Sequence, residues 1–482
     1  MLNIKIIIRT LGFLLIGEGL FMLLSLSVAG IYKDGDASAF LYSALITIGS
    51  GLLFFIITRK ASKNIGKREG YIIVSAVWVF FSLFGSLPFI ISKSIPGFTD
   101  AFFETISGFT TTGSSILNNI EEMPHGILFW RSLTQWLGGM GIVVLSLAIL
   151  PAFGIGGMAL FAAEAPGIIP DKINPKIKDT AKILWRIYVI FTVSEMIFLI
   201  IGGMDLFDAI CHSFTTMATG GYSTKQASIA HWDSPYIHYV IIFFMVLAGT
   251  NFSLSFLAIS GQSKKMFKNE EFKQYISFIG IFTLIVATGL LITTNYGVEK
   301  SFRNSLFQVV SILTTTGYTT DDYLLWHPFL TILVFLIFFI GGSTGSTGSG
   351  IKTMRIALLI KNSFYELRRL IHPNAVIPVR FNKRTVNNQI ISNVLAFFFF
   401  YIVTFFISSL VFMLFVDDFE TSIGSVATCL GNIGPGIGSI GPAANFSHIA
   451  AGGKWFLSFL MLLGRLELFT IIILFSPAFW KS

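Results

Sequence analysis

Charge is scarce in this sequence. Aspartate, glutamate, lysine and arginine make up 12% of its 482 residues, against roughly 25% in soluble domains. Hydrophobic residues fill 54% of the chain, 51 of them phenylalanine. That composition excludes an ordinary soluble domain and points to a polytopic membrane protein. Cysteine is nearly absent: Cys211 and Cys429 both sit in apolar segments, and the seven histidines lie far apart. Neither a disulfide framework nor a site with metal-ligand spacing is expected. Paired catalytic carboxylates, His-Glu-x-x-His and Ser/His constellations are missing from the apolar runs, so no catalytic residues and no enzymatic cofactor are expected. The formal net charge of +8 does not read as a nucleic-acid surface, because the basic residues are dispersed in short loops without interleaved aromatics. Lys5 and Arg9 precede a long apolar run that has no Ala-x-Ala cleavage site, which favours a retained helix over a signal peptide.

What the chain does contain is a repeat. Thr110 to Ser115 reads Thr-Thr-Thr-Gly-Ser-Ser, and related stretches read Ala-Thr-Gly-Gly-Tyr-Ser at 218 to 223, Thr-Thr-Thr-Gly-Tyr-Thr at 314 to 319 and Gly-Asn-Ile-Gly-Pro-Gly at 431 to 436. Gly113, Gly221, Gly317 and Gly434 mark equivalent places, separated by 108, 96 and 117 residues. Ser107, Thr215, Ser311 and Thr428 align upstream without a gap. The result is a quasi-fourfold repeat. A potassium-channel filter needs four loops of this kind, whose backbone carbonyls replace the hydration shell of the ion. The candidate K+ filter is therefore Thr111-Thr112-Gly113, Thr219-Gly220-Gly221, Thr315-Thr316-Gly317 and Asn432-Ile433-Gly434. Only the fourth copy lacks the threonine, and Ser114 and Pro435 stand where Tyr222 and Tyr318 follow glycine elsewhere.

A membrane-spanning helix needs about 20 largely apolar residues. Ten such runs are expected, near 4–30, 39–58, 69–94, 126–152, 180–203, 236–260, 271–293, 328–360, 386–416 and 453–480. Four shorter runs, near 100–110, 206–218, 302–314 and 421–430, each lead into one filter copy and read as re-entrant pore helices. Non-helical backbone at that depth is tolerated only where protein or water surrounds it. Lysine and arginine concentrate at 59–68, 172–186, 264–273 and 352–384, which places both termini in the cytoplasm and has the filter loops enter from outside. Asp100, Glu104, Asp205, Asp208 and Glu420 lie near the starts of the pore helices, where carboxylates suit the positive end of the helix dipole or an acidic, cation-concentrating mouth.

Two anomalies remain. The eighth run is interrupted by Gly341-Gly342-Ser343-Thr344-Gly345-Ser346-Thr347-Gly348-Ser349-Gly350. About thirteen helical residues from His327-Pro328 carry the chain roughly 20 Å inward, so this polar loop falls beneath the filter and must line a cavity. Gly350-Ile351-Lys352-Thr353 is not a phosphate-binding loop, because Ile351 breaks the required Gly-Lys-Thr. Arg465 lies twelve residues into the last run. A charge at that depth usually faces a cavity or a partner: either the pore, or a carboxylate such as Glu195 or Glu18.

Four diverged filters in one polypeptide, preceded by two extra helices, resemble the Trk/Ktr/HKT superfamily of potassium transporters and, within it, the bacterial Trk membrane subunit. The expected fold class is an all-α membrane protein of four tandem helix, pore-helix, filter and helix units. Its divisions would be two leading helices at 1–65, and pore units at 69–165, 172–262, 270–365 and 384–482. The resemblance implies potassium uptake across the cytoplasmic (inner) membrane by a homodimer embedded in lipid, with one pore per protomer. It also implies an intramembrane gate at 341–350, a basic residue beneath the filter at Arg465, and a cytoplasmic nucleotide-binding, TrkA-like regulatory subunit. An H+- or Na+-coupled symporter and a less selective K+/Na+ pathway are the alternatives. Symporters favour inverted repeats, whereas these units run parallel.

Overall fold

In a computed structural model, residues 2–59, 66–149 and 177–481 are described. The basic residues expected at 60–65 and 172–176 lie outside that set. The chain is a multi-pass bundle of helices arranged as four similar units behind a leading pair. The pair, Ile4–Tyr32 and Ala37–Ile57, packs where glycine faces glycine. A Cβ added at Gly12 would stand 2.7 Å from the Gly51 carbonyl oxygen, and one at Gly51 would stand 2.6 Å from that of Gly12. Small residues let helix backbones approach closely inside a membrane.

Each unit then supplies a pore helix: Phe98–Phe109, Leu206–Met217, Val298–Leu313 and Phe419–Gly431. At 1.5 Å per residue these are about 18 to 24 Å long, too short to cross a hydrocarbon core of about 30 Å. Every residue from Ala101 to Phe109 of the first is buried. Polar side chains survive there because their hydroxyls bond back to the helix, as Thr105 does to the Ala101 carbonyl (2.6 Å), Ser213 to Ala209 (2.6 Å) and Thr428 to Gly424 (3.0 Å). The helices outside them carry the opposite surface, with Leu284, Ile292, Phe406 and Leu410 all exposed. A continuous apolar exterior of this kind is a lipid-facing one.

Among the described residues, six helices are long and apolar enough to cross a membrane, or up to eight if two bent pairs each count as one span. The ten uninterrupted runs expected from hydropathy therefore need correction at three places. Residues 235–268 bend by 106° after Ala248, where Asn251 turns its side chain back to accept the Ser253 N–H at 2.8 Å. The last run bends by 110° after Arg465, where Glu467 and Leu468 take positive φ (54° and 51°) and halt the helix. The run at 328–360 is a ten-residue helix, Pro328–Ile337, then the polar loop, then the amphipathic helix Thr353–Ile371. The run at 126–152 extends past the described residues. Hydropathy averages over such breaks because the residues that make them are few.

Candidate functional site

The four candidate filter loops share one backbone path. Thr111, Thr219, Thr315 and Asn432 all adopt left-handed φ, between 53° and 59°, and the glycine two residues on does so again: Gly113 81°, Gly221 75°, Gly317 83°, Gly434 106°. The residue between them does not. A non-glycine residue in that region costs about 1 to 2 kcal/mol and persists only where its surroundings over-determine it. Part of that determination is local. The carbonyls of Ser107, Thr215, Ser311 and Thr428 accept the N–H of Thr112, Gly220, Thr316 and Ile433 at 2.8 to 3.0 Å, the same four positions that align upstream of the glycines.

The rest comes from closure into a ring. A Cβ on Gly113 would lie 2.2 Å from the Gly220 carbonyl oxygen, one on Gly221 1.9 Å from that of Thr316, one on Gly317 1.9 Å from that of Ile433, and one on Gly434 3.1 Å from that of Thr112. Unit one touches two, two touches three, three touches four, and four returns to one. All four glycines line a single cavity of about 80 Å³ with Tyr222, Thr319 and Pro435. The structure thus brings all twelve sequence-nominated filter residues together.

Side chains behind the ring cross between units. The Tyr222 hydroxyl of unit two donates to the Glu104 carbonyl of unit one at 2.7 Å. Tyr318 of unit three bonds the Thr215 hydroxyl of unit two, and the Ser114 hydroxyl of unit one donates to the Gly434 carbonyl of unit four at 3.2 Å. Pro435 supplies no hydroxyl, and Tyr323 of unit three instead donates to the Gly436 carbonyl at 2.8 Å.

Glu104 requires a correction. It is not part of an acidic mouth but fully buried, accepting from Arg131 Nε at 2.6 Å, from Ser115 Oγ at 3.0 Å and from the Ile116 N–H at 2.9 Å. The Arg131 guanidinium also lies over the Tyr222 ring, 3.6 Å from its centroid. Removing one partner of a buried pair costs about 3 to 5 kcal/mol. Arg131 was legible: it is a cation inside an apolar run, the same signal that marked Arg465. The remaining acids lie at the helix starts as expected. Asp205 accepts the Phe207 N–H at 2.9 Å, and Asp100 pairs with Lys454 at 2.6 Å.

Beneath the ring lies the polar loop. Its ends are tied by parallel pairing of Ile340–Gly341 with Ile351–Lys352, and Gly345 and Gly350 turn it with φ of 77° and 69°. Its body is fastened to the units above. The Ser349 N–H donates to the Thr315 hydroxyl at 2.9 Å, and the Thr347 hydroxyl reaches the Met217 and Ala248 carbonyls at 3.1 and 3.2 Å. Glu271, which the sequence did not single out, accepts the Thr344 N–H at 2.6 Å.

Arg465 joins the two. Its guanidinium donates to the Thr111 hydroxyl (3.2 Å) in the filter, to the Thr347 carbonyl (2.9 Å) and Ser349 hydroxyl (3.3 Å) in the loop, and to the Gly138 and Gly139 carbonyls (2.5 and 3.0 Å) of the helix His125–Ile149. These five acceptors are neutral oxygens. Glu18 and Glu195, the carboxylates the sequence offered as alternatives to the pore, are buried on other helices. The bend at Leu466 to Leu468 accounts for the placement, because it puts Arg465 at the tip of its helix rather than midway along a rod.

A ring of four carbonyl-bearing loops in one membrane-embedded chain, closed below by a polar loop and a cation, defines a protein of the pore-loop cation-transport class. The chain belongs to the TrkH family, described as "Cation transport protein", whose pattern it matches over residues 37–482. It is 43% identical over 490 residues to the Trk system potassium uptake protein TrkH of Escherichia coli (strain K12), with all of both chains covered. It is 34% identical to TrkG of the same strain, covering 100% of this chain and 99% of that one. Its fold superposes on the crystal structure of the potassium transporter TrkH from Vibrio parahaemolyticus with a TM-score of 0.90 at 37% identity, over the whole of both chains.

Proposed function

We propose that this chain takes up potassium across the cytoplasmic membrane through the four Thr/Asn-x-Gly loops, with K+ as the bound permeant ion. The observation that carries this reading is the glycine-to-carbonyl ring, which brings backbone oxygens from four loops together beside a small cavity that the four glycines line. The relatives, named as potassium uptake proteins, support the choice of ion. The loop 341–350 acts as the gate. Arg465 contributes an electrostatic barrier on the order of 2 to 3 kcal/mol to a cation at roughly 6 to 8 Å, for an effective dielectric of about 20. A homodimer with one pore per protomer, cytoplasmic termini and a cytoplasmic nucleotide-binding regulatory subunit complete the proposal. The relatives' designation as members of a Trk system supports a partner of that kind. The unit divisions at 69–165, 172–262, 270–365 and 384–482 follow from the filter register.

The test is purified protein in planar bilayers between K+-rich and Na+-rich solutions, first with pH held equal and then with a proton gradient imposed. A reversal potential near the K+ equilibrium value supports the proposal. One that follows an imposed proton gradient instead supports a coupled symporter, and one near zero a non-selective pathway.

A further inference from the structure

The four filter loops are equivalent in backbone but not in what holds them. In unit one the hydroxyls of Thr110 and Thr112 bond each other at 2.7 Å across the left-handed Thr111. In unit three Thr314 and Thr316 do the same at 2.8 Å across Thr315. Units two and four both lack these hydroxyls: Ala218 and Gly220 occupy the matching places in unit two, Gly431 and Ile433 in unit four. Gly220 is not at positive φ, so its backbone does not require glycine. What excludes a side chain there is Gln135, whose Cδ would lie 2.4 Å from a Cβ on Gly220.

Gln135 comes from the helix His125–Ile149 and is fully buried. Its Nε2 donates to the Gly220 carbonyl at 2.7 Å, and its Oε1 accepts the Tyr222 N–H at 3.0 Å. One amide therefore grips the filter on both sides of Gly221. The carbonyl it holds is the oxygen that meets Gly113 around the ring. In units one and three the corresponding clasp is hydroxyl to hydroxyl and leaves that carbonyl unengaged by it. A carbonyl oxygen has two lone pairs, and here one is already committed.

We propose that Gln135 is a positioning and specificity-determining residue: its side-chain amide replaces the missing hydroxyl clasp of unit two, fixes the Gly220 carbonyl, and makes this ligand of the ring stiffer and weaker than its counterparts in units one and three. The proposal rests on the potassium filter reading. It explains two features at once, the pairing of Gly220 with Ala218 and a glutamine buried at the filter.

The experiment compares bi-ionic K+/Na+ reversal potentials and melting temperatures of purified wild type, Gln135→Leu, and a rebuilt variant carrying Gln135→Ala, Ala218→Thr and Gly220→Thr. Gln135→Leu fills the space without either hydrogen bond. Its K+/Na+ permeability ratio changes roughly two- to tenfold, the range that a neutral hydrogen bond of about 0.5 to 1.5 kcal/mol supports. The rebuilt variant returns toward the wild-type ratio because the hydroxyl clasp is restored. If Gln135→Leu does not fold, Gln135→Asn, whose amide is one methylene short of both partners, is read in the same way. A folded variant with an unchanged ratio overturns the role of Gln135, as does a changed ratio that a folded rebuilt variant fails to restore. A wild-type protein with no potassium selectivity instead counts against the filter reading itself.

Discussion

The filter ring and the loop beneath it lie in contact yet are held by different forces. The ring is fixed by its backbone. Its glycines stand so close to neighbouring carbonyls that a single added carbon would overlap them at 1.9 to 2.2 Å in three of the four units, and a buried ion pair braces it from behind. Packed interiors do not deform continuously, so such a ring either keeps its geometry or loses it. The loop is held by backbone bonds to the neighbouring bend, such as the Ser343 N–H to the Gly249 carbonyl at 2.8 Å, and by hydrogen bonds with the side chains of Thr315, Glu271 and Arg465, each worth about 0.5 to 1.5 kcal/mol net, or 1.5 to 3 where a charged group takes part. A handful of such bonds can be exchanged for others at little cost. On the proposed function, the ring is the part that stays and the loop the part that moves.

The largest expected effect comes from breaking the rigid side. Gly221→Ala and Gly317→Ala combine a positive φ with a backbone overlap at 1.9 Å. Each should abolish potassium selectivity or folding, seen as a collapsed K+/Na+ ratio or as loss of the monodisperse protein peak. Gly434→Ala meets its nearest atom at 3.1 Å and should be milder. Equal damage at all four glycines would count against the ring geometry.

On the mobile side the expected sign reverses. Arg465→Ala removes the cation and its bonds to both regions, and Glu271→Ala frees Thr344. Both should raise cation flux per folded protein in liposomes several-fold, with Arg465→Ala the larger because it also removes a barrier of about 2 to 3 kcal/mol. Melting temperatures should fall by no more than the lost hydrogen bonds account for. Lower stability without a gain in flux would make Arg465 a structural residue and sink the gate.

The smallest effect lies away from both regions, in the turn between the two leading helices. Asp34 accepts the His125 N–H at 2.9 Å and a ring nitrogen at 2.7 Å, and those bonds hold its carboxyl below the usual range. Stability from a depressed carboxylate is present above its ordinary pKa and lost as pH falls through the folded value. Asp34→Asn should therefore lose less melting temperature than wild type on going from neutral to strongly acidic pH. Asp36 beside it is pushed upward by burial, which opposes this trend. The pair is partly open to solvent, which screens it and keeps the change small. An identical acid profile in both proteins would remove Asp34 from the account.

The sequence and the structure agree most closely where local chemistry forces the backbone. Thr-x-Gly in three copies and Asn-x-Gly in the fourth are legible because the left-handed positions repeat in register, Asn432 being of a residue type that tolerates positive φ well. A polar loop at membrane depth is legible because it has nowhere to lie except a cavity. The bends after Ala248 and Arg465 are not, since a few residues cannot shift a hydropathy average. Nor is Gln135, whose meaning depends on a partner 85 positions away in the chain. Glu104 reads in the sequence as one of several carboxylates at the pore-helix starts; only the arrival of Arg131 from the next helix places it inside.

Arg465 carries a thermodynamic consequence. Its one guanidinium holds the Thr111 hydroxyl above and the Thr347 carbonyl below, so the filter and the loop cannot be treated as independent equilibria. If displacing the loop withdraws that guanidinium from Thr111 and thereby alters the affinity of the ring for a cation by some factor, then occupancy of the ring by a cation must bias the loop by the same factor. External potassium would then act on the gate as an effector as well as a cargo, with the size of its influence set by how much of the bonding of Arg465 is shared between the two.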